Sequence, residues 1–252
     1  MKPHLVKIKS LNRITLDVLH IITDKPAKFS YVPGQAVELS INKPGWQTDK
    51  RSFYFISIPE TSDLEFCIKI YPEHNGVTNE MLKLIVGDEL IVYEEFGDIS
   101  YRGEGLFIAE GVGIAPFLSI FRNLNSRHLI GDNQLIYANK IKADIILETE
   151  LNNILDGNYI NILSEEQLAD YAHGAITENF LKHFLTGKPQ YIYVSGSAKM
   201  ITAVEKILSA LHVSKDFIVK ETAEFRRPVV YSNYQQFYSI IPLLNTKSYD
   251  YL

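Results

Sequence analysis

The hydrophobic pattern changes its period once along the chain, near residue 102. Before that point apolar and polar residues alternate, as they do from Leu64 to Tyr71 and from Val37 to Ile41. Turn signals such as Pro33-Gly34 and Gly87-Asp88 separate the alternating stretches. Several short strands with this punctuation predict a closed or nearly closed antiparallel β-barrel of the Greek-key kind.

Strands and helices alternate after residue 103. Apolar residues at i, i+3, i+4 and i+7 from Phe117 to Leu124 predict an amphipathic helix, and steps of three and four from Ile201 to Leu211 predict another. Repeated strand–helix units predict a parallel sheet flanked by helices. The predicted strands are Leu106–Ala109, Leu135–Ala138, Tyr159–Leu163, Tyr191–Ser195 and Phe217–Lys220.

We therefore predict two domains, a β-barrel over residues 1–102 and an α/β parallel-sheet nucleotide-binding domain over residues 103–225. At 46% hydrophobic residues, the 252-residue chain can bury a core of this size. Residues 226–252 contain two prolines and five tyrosines without a clear period, and we treat them as a C-terminal tail of unassigned role.

Composition argues against several classes of protein. The net charge of −5, without any dense Lys/Arg stretch, argues against a nucleic-acid partner. No apolar run approaches the roughly 18 residues of a membrane span, and MKPHLVKIKS lacks the apolar core of a signal peptide, so we expect a cytoplasmic protein. Cys67 is the only cysteine, which excludes an internal disulfide and a thiolate-held iron–sulfur cluster. The histidines show no zinc-ligand spacing, and we predict no metal site.

The stretch IAEGVGIAPF, from Ile108 to Phe117, lies where the first predicted parallel strand meets its helix. Gly111 and Gly113 allow a tight turn and a close approach to a ligand, and Pro116 suits the first turn of a helix. A helix beginning there can direct free N–H groups at a pyrophosphate. The same residues also suit a plain strand-to-helix corner, so this motif alone leaves both interpretations open.

The end of the second predicted parallel strand bears on the choice of nucleotide. A dinucleotide site for NAD expects an acidic residue there, which binds the ribose hydroxyls. This strand ends instead in Tyr137-Ala138-Asn139-Lys140. A lysine without a carboxylate tolerates a 2′-phosphate, which favours NADPH slightly over NADH.

A second group of candidate residues lies in the barrel. KRSFYFIS places Arg51 beside Phe53 and Tyr54, and EHNGVTNEML places Gly76 before a predicted helix start at Thr78, whose hydroxyl can cap the helix or bind an anion. An arginine, an aromatic plane and a helix N-terminus are what a flavin nucleotide needs. Taken singly, these residues also suit a surface charge, a core side chain and a plain N-cap.

In this combination the chain resembles the ferredoxin/flavodoxin–NADP reductase family, in particular its bacterial flavodoxin-reductase-like members. The likeness covers about residues 3–225 and rests on five motifs in the family's order. They are YVPGQ (Tyr31–Gln35), the arginine-x-aromatic flavin motif (Arg51–Tyr54), GVTN (Gly76–Asn79), GVGIAPF (Gly111–Phe117) and VSGSAKM (Val194–Met200).

The resemblance implies a flavoprotein reductase with FAD in the barrel and NAD(P)H in the second domain. Hydride would pass from the nicotinamide to flavin N5, and electrons would leave to a small carrier, flavodoxin or ferredoxin. The resemblance names Tyr54 and Ser195 as catalytic candidates. It assigns the FAD site to Arg51, Ser52, Phe53, Tyr54, Ile70, Tyr71, Gly76, Val77 and Thr78, and the nicotinamide-nucleotide site to Gly111, Val112, Gly113, Pro116, Gly196 and Met200.

Several positions depart from the family's pattern. Tyr54 stands where a serine or threonine normally bonds flavin N5. Ser195 and Ser197 stand where the family has the cysteine and the proline of a Cys-Gly-Pro motif. Ala175 stands where the family often has an arginine after a glycine. Two alternatives therefore stay open: a reductase of free flavin or another small acceptor, and a catalytically degenerate module of this fold that binds a nucleotide or a protein.

Overall fold

The computed structural model describes residues 3–73, 76–97, 99–185 and 190–221, where the chain forms two six-stranded sheets. The tail predicted over residues 226–252 lies outside the described residues. Within the described ranges, no helix combines the length and the apolar character needed to cross a bilayer.

The first sheet is antiparallel, with strand order β4-β3-β6-β1-β2-β5. An isolated antiparallel bridge between Phe55 and Phe66 joins the two ends of this order, which confirms the predicted barrel. Its elements are β1 (His4–Thr15), β2 (Val18–Asp24), β3 (Ala36–Ile41), β4 (Arg51–Tyr54), β5 (Asp63–Lys69), α1 (Val77–Glu80), a 3-10 turn (Met81–Lys83) and β6 (Glu89–Phe96).

Strand β5 shows why the alternating pattern forms this sheet. Leu64, Phe66 and Ile68 are fully buried inside the barrel, as the alternation predicts. Cys67, on the opposite face, is also buried, because that face is covered by the second half of the molecule. Burial raises the pKa of the Cys67 thiol to about 12, so this cysteine stays a protonated core residue.

The second sheet is parallel, with strand order β10-β9-β8-β7-β11-β12. Its strands are β7 (Gly105–Glu110), β8 (Gln134–Asn139), β9 (Tyr159–Leu163), β10 (Ala172–His173), β11 (Tyr191–Ser195) and β12 (Ile218–Lys220). The helices are α2 (Ala115–Ser126), α3 (Glu148–Leu155), α4 (Glu178–Lys182) and α5 (Ala198–Ala210), with 3-10 turns at Gly111–Ile114, Lys142–Asp144 and Lys215–Phe217.

This architecture confirms the predicted barrel followed by an α/β parallel-sheet unit. Two details differ: Phe217 belongs to the 3-10 turn before β12, and the short edge strand β10 was not predicted. The first sheet ends at Phe96 and the second begins at Gly105, and a domain boundary at residue 102 stays a prediction.

Helix α2 lies between the two sheets. The predicted apolar stripe from Phe117 to Leu124 is buried, and so are Leu118 and Ser119 on other sides of the helix. Both sheets therefore cover the first half of α2. The shared core formed there includes Val18, Ala36, Tyr54, Ile56, Cys67 and Ile99 from the barrel and Ala109, Phe117, Leu118, Ile120 and Phe121 from the second half.

Candidate active site

The motif GVGIAPF forms the turn between β7 and α2. Gly111 opens a 3-10 turn, and Pro116 stands in the first turn of α2, as predicted. Gly111 has φ of +53°, a left-handed conformation that favours glycine, and a Cβ added there meets nothing within 4 Å. Its backbone is therefore open to a ligand.

Gly113, two residues later, is tightly enclosed. A Cβ added at Gly113 would lie 2.5 Å from the carbonyl oxygen of Ser195 and 2.7 Å from the nitrogen of Gly196. Only a glycine permits this approach, which brings the motifs GVGIAPF and VSGSAKM into contact. The contact lies at the carboxyl ends of β7 and β11, where the strand order reverses and α/β sheets bind their ligands.

The VSGSAKM motif forms the turn that leads into α5. A Cβ added at Gly196 would lie 2.6 Å from Cε of Met200 and 2.8 Å from Cβ of Glu110, so this turn is also closely packed. Ser197 caps α5: its hydroxyl accepts a hydrogen bond from the Met200 N–H at 3.2 Å, and its own N–H donates to Glu110 Oε2 at 3.0 Å. This departure from the family's pattern thus stabilises the turn.

Ser195 ends β11 and is fully buried. Its hydroxyl donates to Glu221 Oε1 at 2.9 Å, and Glu221 directly follows β12, the neighbouring strand. Sequence reasoning missed Glu221. An acidic residue directly after the last apolar strand was the available signal, because parallel strands end at the same sheet edge.

Tyr137, also missed from the sequence, supports the Gly111 turn. Its fully buried hydroxyl donates to the carbonyl oxygen of Gly111 at 2.8 Å and accepts from the Ile146 N–H at 3.4 Å. Burial raises the pKa of Tyr137 well above its ordinary value, so the phenol stays a donor. The carbonyl of Gly111 is thereby held in place from within the sheet.

The end of β8 carries a buried amide and an exposed ion pair. The side chain of Asn139 is 7% exposed, and by distance and angle neither of its polar atoms makes a hydrogen bond. Lys140 Nζ lies 3.0 Å from Glu165 Oε1, and the Glu165 N–H donates to the Lys140 carbonyl. The lysine that favoured a 2′-phosphate is therefore paired with a carboxylate.

On the barrel side, β4 carries the predicted flavin motif. Arg51 is half-buried, and its Nη1 donates to Asp49 Oδ1 at 2.5 Å and to the Lys50 carbonyl at 2.7 Å. Ser52 and Phe53 are half-buried, and Phe53 packs against the barrel core. Tyr54 is 8% exposed, and its side chain belongs to the core shared with α2.

The segment around α1 corrects one expectation. The helix begins at Val77 with Gly76 as its N-cap, so Thr78 is the second helical residue rather than its start, and no side chain caps the helix. The side chains of Ile70 and Val77 are buried in the barrel core, which leaves only their backbone to face a ligand. Tyr71 is 46% exposed.

The structure brings the candidate residues of the nucleotide turn close together. The flavin strand β4 is connected to them indirectly, through helix α2. Gly111, half-buried Val112 and Gly113 lie at the crevice with Ser195 and Gly196. Beyond Tyr54 the chain continues to two carbonyl groups that hydrogen-bond side chains of α2. In the described part of the chain, no group of three or more His, Cys, Asp or Glu side chains is placed to hold a metal ion.

Comparison with known sequences identifies relatives of both halves. A family model described as the oxidoreductase NAD-binding domain matches residues 107–206. The propane 2-monooxygenase reductase component of Mycolicibacterium goodii is 28% identical over 222 residues, which cover 81% of this chain and 62% of that protein. The anthranilate 1,2-dioxygenase electron transfer component of Acinetobacter baylyi is 29% identical over 229 residues, which cover 83% of this chain and 65% of that protein. The chain spans less than two thirds of the length of these relatives.

Comparison with solved structures shows the same fold. The flavohem-like FAD/NAD binding domain of nitric oxide dioxygenase from Vibrio cholerae superposes with a TM-score of 0.78 at 19% identity, covering 88% of this chain and 98% of that one. A ferredoxin NADP+ reductase from Neisseria gonorrhoeae with bound FAD and NADP gives a TM-score of 0.75 at 17% identity and the same coverage, 88% and 98%.

Proposed function

We propose that the chain, whose sequence and fold are similar to those of ferredoxin–NADP reductase-like proteins, is a flavoprotein reductase using FAD and NAD(P)H. In this proposal it takes hydride from the nicotinamide and passes electrons to a flavodoxin, a ferredoxin-type carrier or an oxygenase component. The observation that carries the proposal is the contact of Gly113 with Ser195 and Gly196, which assembles two nucleotide motifs at the switch point of the sheet.

The nucleotide turn fits a nicotinamide nucleotide. The open face of Gly111 leaves room for a phosphate or ribose beside the backbone. The amide of Asn139 lies one residue beyond Ala138, which pairs in register with Glu110 before the turn. We propose that this amide lies beside the bound nucleotide at the end of β8. We propose that Val112 and Pro116 complete the turn and that Met200 closes it from α5.

The barrel residues also fit FAD, although several of them already make contacts within the protein. Arg51 has five N–H donors, and its bonds to Asp49 and Lys50 leave others for a phosphate. The exposed ring of Tyr71 offers a stacking surface, and the backbone from Gly76 to Thr78 would line the pyrophosphate. When bound, FAD accepts hydride and releases electrons singly, which links a two-electron donor to a one-electron carrier.

The residues of this chain hold and orient the reacting groups. The Tyr137 hydroxyl fixes the Gly111 carbonyl, so the turn cannot rotate away from its ligand. Ser195 is held by Glu221 at the crevice, where we propose that the pair contacts the nicotinamide. Preorganised groups of this kind lower the barrier because the reactants meet in one geometry.

A binding module without catalysis is the second candidate, and the placement of Tyr54 favours it. The Tyr54 side chain is packed in the shared core, whereas the family's serine or threonine presents a short hydroxyl to flavin N5. A protein that binds FAD but is never reduced by a nicotinamide nucleotide would have this second function.

The visible spectrum of the purified protein, before and after anaerobic addition of NADPH or NADH, tests the proposal. We expect a yellow flavin spectrum that bleaches with at least one nucleotide. A yellow protein that stays yellow with both supports the binding module. A colourless protein that FAD cannot reconstitute overturns the reductase and favours a module of this fold that binds another nucleotide or a protein. Adding flavodoxin, ferredoxin or free flavin to the reduced protein then identifies the acceptor class by the rate of reoxidation.

A further inference from the structure

Two side chains of α2 tie the nucleotide turn to the flavin strand. We propose that Ser119 and Arg122 are positioning residues, which fix the separation of the nicotinamide and flavin sites by bonding α2 to the chain just beyond β4. The inference rests on the proposed function. It concerns the rate of hydride transfer and not the binding of either cofactor.

Both side chains bond main-chain carbonyls of the barrel. Ser119 Oγ donates to the Ser57 carbonyl at 2.7 Å, and both serines are buried. Arg122 Nη1 donates to the Ile56 carbonyl at 2.9 Å. These carbonyls lie two and three residues beyond Tyr54, the last residue of β4. The flavin strand is therefore held by its continuing backbone.

Helix α2 couples the positions of Ser119 and Arg122 to the position of the nucleotide turn. Ser119 lies about one turn beyond Ala115, where α2 begins directly after the 3-10 turn of Gly111–Ile114. Because an α-helix is stiff over so short a distance, a shift of Ser119 or Arg122 against the barrel moves Gly113 with it. Gly113 also packs closely against Ser195 and Gly196 at the end of β11, so a shift of the turn would disturb both sides of the crevice.

Arg122 is itself fixed by carboxylates from two other elements. Its Nε and Nη2 donate to Glu150 of α3 at 2.5 and 2.9 Å, a bidentate pair, and its Nη1 lies 3.2 Å from Glu65 Oε2 of β5. Burial alone would lower the pKa of Arg122, but Glu150 and Glu65 outweigh it and hold the pKa above its ordinary value. Arg122 therefore stays charged in a single orientation.

The carbonyls that accept these bonds lie on a fixed segment. Ser57 Oγ makes a 2.7 Å hydrogen bond with the hydroxyl of Tyr31 and accepts from the Glu65 N–H at 3.1 Å. The ring of Tyr31 stacks on Phe55 with centroids 4.0 Å apart. The attachment thus joins α2 to a barrel segment that is itself held by hydrogen bonds and flanked by a stacked ring pair.

The rate of hydride transfer depends on this attachment, because the attachment sets the distance between the two cofactor sites. Reaction requires the two reacting atoms at about 3–3.5 Å, and a misplacement of about 1 Å costs roughly a hundredfold in rate. A helix that loosens against the barrel would lengthen that separation and leave the residues assigned to either cofactor intact.

The test compares Ser119→Ala, Arg122→Lys and Arg122→Met with the wild-type flavoprotein. Anaerobic single-turnover reduction gives the limiting rate and the nucleotide dissociation constant separately. Arg127→Met is the matched control, because Arg127 also pairs across to the barrel, with Glu60 at 2.8 Å, but both of those side chains are 55% exposed. Surface pairs of this kind contribute little.

We expect the limiting rate to fall at least about tenfold in Ser119→Ala and Arg122→Lys. Flavin content and the nucleotide dissociation constant should stay within about twofold of wild type, and Arg127→Met should keep the wild-type rate. Because Arg122→Met leaves Glu65 and Glu150 without their cation, it can fail to fold, and the other two variants then decide.

Limiting rates within twofold of wild type in both Ser119→Ala and Arg122→Lys overturn the inference while leaving the proposed function intact. An equal loss in Arg127→Met also overturns it, since the effect would then be general to this helix. If the wild-type flavoprotein is reduced by neither nucleotide, the proposed function itself fails and the inference fails with it.

Discussion

Ser195 and Glu221 are joined by a 2.9 Å hydrogen bond across the ends of the neighbouring parallel strands β11 and β12. The serine is buried, so its hydroxyl has a fixed direction, and its acceptor is a carboxyl oxygen. Hydrogen bonds to charged groups contribute about 1.5–3 kcal/mol, more than neutral ones.

Ser195→Ala should therefore weaken the productive binding of the nicotinamide nucleotide. We expect kcat/KM for flavin reduction to fall at least about tenfold, since the charge-assisted hydrogen bond that orients this end of the crevice is lost. Steady-state reduction of an artificial acceptor measures this change. Ser195→Cys, which keeps a weak donor, is the matched variant and should lose less. Equal activity of wild type and Ser195→Ala contradicts the proposed role.

Arg51→Ala should reduce the amount of FAD that stays with the purified protein, because a fixed guanidinium is the phosphate partner proposed in the barrel. Arg51→Lys should retain part of it, since a lysine keeps the charge but loses the planar fork. The ratio of flavin absorbance to protein after gel filtration is the measurement. Circular dichroism should show an intact fold, and unchanged flavin content would rule out this assignment.

Gly113→Ala should destabilise the protein far more than Gly111→Ala. The added Cβ at Gly113 meets backbone atoms at 2.5 Å, whereas the one at Gly111 meets nothing within 4 Å and pays only for its left-handed conformation, about 1 kcal/mol. Urea unfolding of the two variants measures the difference. Equal losses of unfolding free energy would mean that the crevice between β7 and β11 is looser than described.

Glu165→Gln should shift the nucleotide preference toward NADPH. The Glu165 carboxylate neutralises Lys140 at the end of β8, and it would also repel a 2′-phosphate bound there. We expect KM for NADPH to fall several-fold while KM for NADH changes little. The ratio of kcat/KM for the two nucleotides is the measurement, and an unchanged ratio places the ribose away from this pair.

Glu65→Gln should flatten the loss of stability in acid. The hydrogen bond with His20, opposed by burial and aided by Arg122, holds the pKa of Glu65 below its ordinary value of 4.5. A depressed carboxyl pKa contributes stability above the unfolded-state value, and that contribution is lost as pH falls through the folded-state value. Wild type should therefore lose unfolding free energy more steeply below about pH 4.5 than the variant does, measured by urea unfolding. Parallel pH profiles of the two proteins contradict this role for Glu65.

The predicted strands and the GVGIAPF turn agree with the structure because their signals are local. In β5 the apolar residues Leu64, Phe66 and Ile68 are buried as their alternation predicts, and Pro116 stands where a helix accepts a proline. The start of α1 was misplaced because Gly76 serves as the N-cap in place of a hydroxyl side chain.

Other features depend on contacts that no local pattern reports. Ser119 and the Ser57 carbonyl are 62 residues apart in sequence, and Ser195 is 26 residues from Glu221. The alternation also could not distinguish a ring that faces a cofactor from one that lies in a core, and Tyr54 lies in the core shared with α2. Pairings of this kind are fixed only when the two sheets come together.

Strand β4 stands at one end of the barrel's strand order, hydrogen-bonded to β3 along one edge, and the chain just beyond it meets β5 at the isolated Phe55–Phe66 bridge. An edge strand presents main-chain donors and acceptors that can pair with a strand of another molecule. A cofactor seated along β4 would cover that edge. With FAD in the site proposed here, we therefore expect the flavin-free protein to be the form that aggregates first on storage or heating.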